Sequence, residues 1–180
     1  MKKVLLINSS PRKNGNSSFM CGVANKFYVD KNFEVTTINL QNEKLDGCIA
    51  CGFCKKNGKC FRQDNTTRLL EDILGYDLII MFCPVYFCGF DSQTKKLIDR
   101  SECFYDVEAK TKGKIALVVS FGATLEENYL GMHYGMKYFA KSIKKQYIGV
   151  KAFGNTDNLD SNLLQIYKQE MLQFLQNIIL

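Results

Sequence analysis

Half of the eight cysteines in this 180-residue chain fall within thirteen positions, Cys48-Ile49-Ala50-Cys51-Gly52-Phe53-Cys54-Lys55-Lys56-Asn57-Gly58-Lys59-Cys60. The spacing C-x2-C-x2-C-x5-C sets three thiols at a constant step and a fourth after a longer gap. Thiolates this close together bind metals, and a triple step resembles compact iron–sulfur runs. Structural zinc sites use two separated C-x2-C pairs and fit less well. An empty or thiol-only loop is the third reading. Lys55, Lys56, Lys59 and Arg62 surround the sulfurs, where they offset negative charge and favour the thiolate form.

Three further stretches carry chemistry. Ser9-Ser10-Pro11-Arg12-Lys13-Asn14-Gly15-Asn16-Ser17-Ser18 follows an apolar strand pattern and opens a helical one. Backbone N–H groups at a helix start, with hydroxyls and Arg12 beside them, form an anion site. The stretch matches neither G-x-G-x-x-G nor G-x-x-x-x-G-K-S/T, and its ring of hydroxyls suits a terminal phosphate monoester. The plain alternative is a polar turn with a good N-cap, supplied by Ser17 or Ser18. Pro84-Val85-Tyr86-Phe87-Cys88-Gly89 puts two aromatics where a strand is expected to have ended. They suit either the flanks of a planar ring or a hydrophobic lid. Ser120-Phe121-Gly122-Ala123-Thr124 is small and polar around one aromatic, fit for backbone hydrogen bonds to a ring edge.

Other signals read more simply. His133 is the only histidine, so Ser-His and metal–His schemes lack material, and it reads as a surface or packing residue. Gly131 and Gly135 stand one helical turn apart, which favours close packing. Lys141, Lys144 and Lys145 read as a solvated helix face, with recognition of dinucleotide phosphates or an acidic redox partner as the alternative. Glu126 and Glu127 are neighbours in a loop and carry no acid–base geometry. Cys21 and Cys103 lie on helical patterns and read as small buried hydrophobes.

The elements that must position these stretches alternate. Short apolar runs at Val4–Ile7 and Asp77–Cys83 read as strands buried on both faces, and Val35–Leu40, Ile115–Ser120 and Tyr147–Phe153 read as further strands. Between and after them, residues at helical spacing mark helices around Phe19–Phe27, Thr66–Leu74, Asp91–Cys103, Tyr129–Ile143 and Leu163–Ile178. Residues 41–65, the cysteine loop, form a connection long enough to need a ligand or a function. Five strands alternating with helices predict a parallel sheet covered on both faces, a three-layer α/β sandwich. Five strands favour the order 2-1-3-4-5, with ligands at the carboxyl ends of the strands, in loops 8–18, 83–90 and 120–128.

Composition bounds the rest. At 46% hydrophobic and 23% charged, the 180 residues suit one globular domain, 1–180, with the cysteine loop as an insertion. A net charge of +6 hints at anionic small molecules or an acidic protein partner and does not by itself argue for nucleic acid. The apolar run after Met1-Lys2-Lys3 stops at four residues, so neither a signal peptide nor a membrane span is read. The expected location is cytoplasmic, where clustered cysteines stay reduced.

Taken together, Ser9 to Ser17, Pro84-Val85-Tyr86-Phe87, Asp99-Arg100 and the four-cysteine loop resemble, in the same order, the NADPH-dependent FMN reductase superfamily. Within it they are most similar to the iron–sulfur flavoproteins, of flavodoxin-like fold. The resemblance implies FMN, with its phosphate on Ser10, Arg12, Asn16, Ser17 and Ser18. Its isoalloxazine would lie against Pro84, Val85, Tyr86 and Phe87 and against Ser120, Phe121 and Gly122. It implies Cys48, Cys51, Cys54 and Cys60 as ligands of a [4Fe–4S] cluster, NAD(P)H as co-substrate, and a homodimer or homotetramer. Cys83 and Cys88 would then lie near the flavin. The expected activity is an FMN-dependent oxidoreductase passing electrons between NAD(P)H or a ferredoxin-like carrier and a small-molecule or protein acceptor. The alternatives are an NAD(P)H-dependent FMN or quinone reductase with an empty cysteine loop, a non-enzymatic flavodoxin-like carrier, and a zinc-loop binding module. Flavodoxin-like carriers are usually acidic, unlike this chain. No side chain is needed as a catalytic acid or base, because the cofactors carry the chemistry.

Overall fold

The computed structural model describes residues 1–105, 112–124, 127–158 and 160–179. Strands β1 (Lys3–Asn8), β2 (Glu34–Asn39), β3 (Leu78–Tyr86), β4 (Gly89–Phe90), β5 (Lys114–Ser120) and β6 (Gln146–Phe153) form one sheet. Five of them run parallel in the order β2-β1-β3-β5-β6, and β4 pairs antiparallel with β3. The five expected parallel strands are present and neighbour one another as expected; the short antiparallel β4 adds a sixth strand, so by sequence number the order reads 2-1-3-5-6 rather than 2-1-3-4-5. β3 does not stop at Pro84. It continues to Tyr86 and folds back as a hairpin, because Pro84 stands opposite Ser120, the last residue of β5, where the parallel ladder ends.

Alternation along the central strands divides the core. Leu5, Ile7, Ile79, Met81, Ile115, Leu117 and Val119 face one side, beneath α3 (Asn65–Ile73), α4 (Ser92–Arg100) and α5 (Glu127–Ser142). Val4, Leu6, Leu78, Ile80, Phe82, Ala116 and Val118 face the other, beneath α1 (Asn16–Asp30) and α6 (Ser161–Ile178). Each such side chain, fully removed from water, contributes about 1.5–3 kcal/mol before chain entropy is counted. Strands apolar on both faces thus make a rigid frame whose carboxyl ends hold the loops.

The cysteine connection between β2 and α3 is not structureless. It holds a 3-10 turn at Leu40–Asn42 and the short helix α2 (Phe53–Asn57). Gly52 and Gly58 bound α2 at φ 71° and 67°, a left-handed backbone that glycine adopts without strain. Gly131 and Gly135 do serve packing, although against the hairpin rather than the sheet. A Cβ on Gly135 would stand 3.0 Å from the Phe90 ring, and one on Gly131 3.3 Å from the Cys88 carbonyl oxygen.

Candidate functional site

The loop after β1 is built around its own backbone. Ser10 Oγ accepts from the Arg12 amide at 3.2 Å, and Ser18 Oγ donates to the Arg12 carbonyl at 2.8 Å. The Gly15 amide closes the turn on that same carbonyl at 3.1 Å. Space there is short, since a Cβ on Gly15 would lie 3.1 Å from Arg12 Cβ. Capping differs from the expectation that Ser17 or Ser18 caps α1. Gly15 is the N-cap and gives no side-chain hydrogen bond, while both serines lie inside the first turn. Aspartates cap α3, α4 and α6 instead, through Asp64, Asp91 and Asp160. The amides at the start of α1 are left uncapped by any side chain, with Ser10, Arg12, Asn16, Ser17 and Ser18 around them. Helix starts of this kind can accept an anion.

Polar contacts tie this loop to the other two. Ser17 Oγ and Ser120 Oγ are 2.8 Å apart, joining the start of α1 to the end of β5. Asn16 Nδ2 donates to the Thr156 carbonyl at 3.0 Å. Ser9 Oγ donates to Asp91 Oδ2 at 2.5 Å, and Asp91 also accepts from Thr94 Oγ1 at 2.8 Å and from the Gln93 and Thr94 amides. Asp91 is buried, so a single carboxylate both caps α4 and fixes the first loop. Nothing in the sequence singled it out beyond an acid before Ser92-Gln93-Thr94, which is an N-cap pattern.

The sequence-derived residues at the end of β3 fall differently. Pro84 and Val85 are half-buried, Tyr86 is exposed, and Phe87 is wholly exposed at the hairpin tip. Phe87 and Cys88 both take positive φ, 48° and 59°. Two-residue hairpins need this backbone but normally use Asn-Gly for it. Phe121 is buried and packs on Tyr129 with ring centroids 5.7 Å apart. Its amide and carbonyl are taken by Phe153 and Thr156, so the Phe121 backbone offers no unpaired group to a ring edge. The Asp157 carboxylate lies over Gly122, where a Cβ would overlap it unless that exposed side chain turned away. Of the acid pair, Glu126 lies outside the described residues, and Glu127 opens α5.

Cys48, Cys51, Cys54 and Cys60 line a common cavity of about 920 Å³, walled on its far side by Arg100, Cys103 and α5. All four are free thiols, Cys48 and Cys51 exposed and the other two partly so. Among the described residues no three Cys, His, Asp or Glu side chains are gathered closely enough to hold a metal ion. The four thiols are of the kind a cluster uses and share one cavity, but their sulfurs do not converge on one point. Cys103 departs from the simple expectation of a buried hydrophobe. It is buried but faces Cys54 and Cys60, and burial first, then those two sulfurs, push its thiol up to about 11. Cys21 does behave as a buried hydrophobe, pushed up to about 12 by burial.

Two minor expectations divide. His133 packs as expected, its Nδ1 3.1 Å from the Tyr147 hydroxyl. Lys145 is not part of a solvated face, because it is buried and donates to the Leu74 and Tyr76 carbonyls at 2.9 and 2.5 Å. Among the described residues no helix is long and apolar enough to cross a membrane.

A parallel α/β sheet covered by helices on both faces, in the order β2-β1-β3-β5-β6, is a flavodoxin-like fold. The family model for NADPH-dependent FMN reductase matches residues 2–133, and the chain belongs to that family. Among curated proteins it is 34% identical over 122 residues to an iron-sulfur flavoprotein of Methanocaldococcus jannaschii, covering 68% of this chain and 63% of that one. It is 31% identical to an iron-sulfur flavoprotein of Methanosarcina thermophila, covering 68% and 64%. The chain thus spans less than two thirds of the length of these relatives. Among solved structures it is similar to an azoreductase of Bacillus anthracis, with a TM-score of 0.78, 14% identity and coverage of 99% and 100%. An FMN-dependent NADH-azoreductase of the same species, solved with FMN, gives 0.73, 14% and 99% of each chain.

Proposed function

We propose that this chain is an FMN-dependent oxidoreductase that passes electrons between a reduced donor, NAD(P)H or a ferredoxin-like carrier, and a small-molecule or protein acceptor. The observation that carries the reading is the side-chain-free cap of α1, ringed by Ser10, Arg12, Asn16, Ser17 and Ser18, in a chain of the FMN reductase family. Those five residues would hold the phosphate. Pro84, Val85, Tyr86 and Phe87, with the Ser120–Gly122 backbone, would border the ring. Bound FMN supplies reversible hydride and single-electron transfer, and the protein's part is to bind, orient and shield it. Cys83, within β3, and Asp91, just after β4, are buried on either side of this stretch in the chain.

The reading extends to a [4Fe–4S] cluster on Cys48, Cys51, Cys54 and Cys60, supported by spacing, by free thiols facing one cavity, and by relatives named iron-sulfur flavoproteins. The second reading is an NAD(P)H-dependent FMN or quinone reductase with an empty loop, and the open arrangement of the four sulfurs favours it. A homodimer or homotetramer is part of the proposal. Leu130, Tyr134 and Tyr138, exposed at i, i+4 and i+8 on α5, together with Phe87, make an apolar face a second copy would cover.

The visible spectrum of protein purified without oxygen tests both cofactors together. Flavin bands with a broad iron–sulfur shoulder and matching iron and sulfide support the first reading, and flavin bands without iron select the second. Protein that stays colourless after incubation with FMN overturns both. Arg12→Ala combined with Ser17→Ala is expected to weaken FMN binding about tenfold or more, through loss of charge-assisted hydrogen bonds to the phosphate.

A further inference from the structure

Arg100 ends α4 inside the protein, 3% exposed. A guanidinium that deep must have its charge answered locally. Its Nη1 donates to Asp64 Oδ2 at 2.9 Å and to the Asp46 carbonyl at 3.2 Å. Its Nη2 donates to Asp64 Oδ1 at 3.0 Å, to Thr67 Oγ1 at 2.7 Å and to the Arg62 carbonyl at 3.5 Å. These partners bracket the cysteine loop, with Asp46 before its first cysteine and Arg62 and Asp64 after its last. One side chain therefore staples both ends of the loop to the core. Nε alone finds no nitrogen or oxygen acceptor, and the guanidinium's remaining interaction is with the Cys60 thiol. Arg100 also lines the cavity that the four cysteines share.

We propose that Arg100 is the positioning residue of the cysteine loop and the resident counter-charge for the group its thiolates hold, setting both how tightly that group is bound and the potential at which it takes up an electron. The inference rests on the cluster reading above. Four thiolates leave a cluster net negative, and each electron accepted adds to that charge. A cation fixed nearby in a low-dielectric setting therefore favours the reduced form. Lys55, Lys56 and Lys59 are exposed, so water and salt screen them, whereas Arg100 is buried and paired with Asp64, which leaves the guanidinium as the positive end of a fixed ion pair beside the cavity. The bidentate fork to Asp64 also means that lysine cannot replace arginine in the staple.

The test compares the unaltered chain with Arg100→Met, Arg100→Lys and Asp64→Asn, all purified without oxygen. Iron and sulfide are measured per FMN, and the cluster potential is read by mediated titration with electron paramagnetic resonance. Arg100→Met is expected to bind iron about 10- to 100-fold more weakly, and its residual cluster to have a more negative potential. Arg100→Lys is expected to keep the potential nearer to that of the unaltered chain while losing affinity. Asp64→Asn keeps the cation, loosens the loop and lowers iron content. If Arg100→Met loses FMN and fails to fold, Arg100→Lys and Asp64→Asn decide alone, and unaltered iron content in both overturns the staple. Lost iron with an unmoved potential overturns the counter-charge. An unaltered chain that binds FMN but no iron overturns the cluster reading itself, a result distinct from a loaded cluster indifferent to Arg100.

Discussion

Cys83 and Cys88 stand five residues apart on the same strand and turn, yet they are chemically opposite. Cys83 is fully buried, and burial, then the Asp91 carboxylate, push its thiol up to about 12. It remains protonated and inert at neutral pH. Cys88 is exposed at the hairpin tip. Native protein treated with iodoacetamide at neutral pH is therefore expected to be labelled at Cys88, and at Cys48 and Cys51 where they are unliganded. Cys21 and Cys83 are expected to react only after denaturation. Peptide-level mass spectrometry checks this, and native labelling of Cys83 would show that its thiol is not buried. The sequence showed all eight cysteines. It did not separate Cys103 from Cys21, because helical spacing says that a residue points inward and not which other sulfurs it meets there.

At the scale of elements, the β3–β4 hairpin is the least economical part of the chain. Its two turn residues, Phe87 and Cys88, are both non-glycine at positive φ, a backbone costing on the order of 1–3 kcal/mol per residue. Phe87 is wholly exposed and recovers nothing by burial. Replacing the pair by Phe87→Asn with Cys88→Gly is expected to raise stability by about 1–3 kcal/mol. The same variant is expected to bind FMN more weakly if the aromatic borders the ring. Urea unfolding and flavin titration read the two effects separately, and a variant no more stable than the parent would show that the turn is unstrained. The strand at Asp77–Cys83 was legible as an apolar run. The hairpin was not, because the turn lacks the Asn-Gly signature by which such turns are read. The helix that begins beside the site was legible from Phe19, Val23 and Phe27. Its true start at Asn16 was hidden, because serines in a first turn look like caps.

Across the whole molecule, the cysteine loop depends on an ion pair between buried Arg100 and half-buried Asp64. Desolvation pushes the Asp64 carboxyl up, but its hydrogen bonds and charge contact with Arg100, with the Thr67 and Thr66 amides, outweigh this and hold it below its usual range. A carboxylate with a depressed folded pKa adds stability that is fully present above its unfolded value. That stability is lost as pH falls through the lower folded value. The loop is therefore expected to loosen only below about pH 4, before the sheet unfolds. Hydrogen exchange of residues 46–67 against pH should show this, with Asp64→Asn removing the acid step. An unchanged profile in that variant would place the acid sensitivity elsewhere.

The α/β class, the parallel core and the strand-end loops were legible before any coordinates, since strand-like runs alternating with helical spacing allow little else. The sequence by itself also marked the cysteine stretch, because half of the thiols in thirteen positions is visible without any coordinates. Only the tertiary structure decided that Gly15 rather than a serine begins α1, that Phe121 turns inward, and that the end of β3 folds back. It alone brought Arg100 and Cys103 to the cysteine cavity from up to 55 residues away in the chain, and paired Arg100 with Asp64 beside it. The physical reason is common to all of these. Periodicity reports which face of an element is buried, whereas the partner of a buried charge or thiol is set by how separate elements cross.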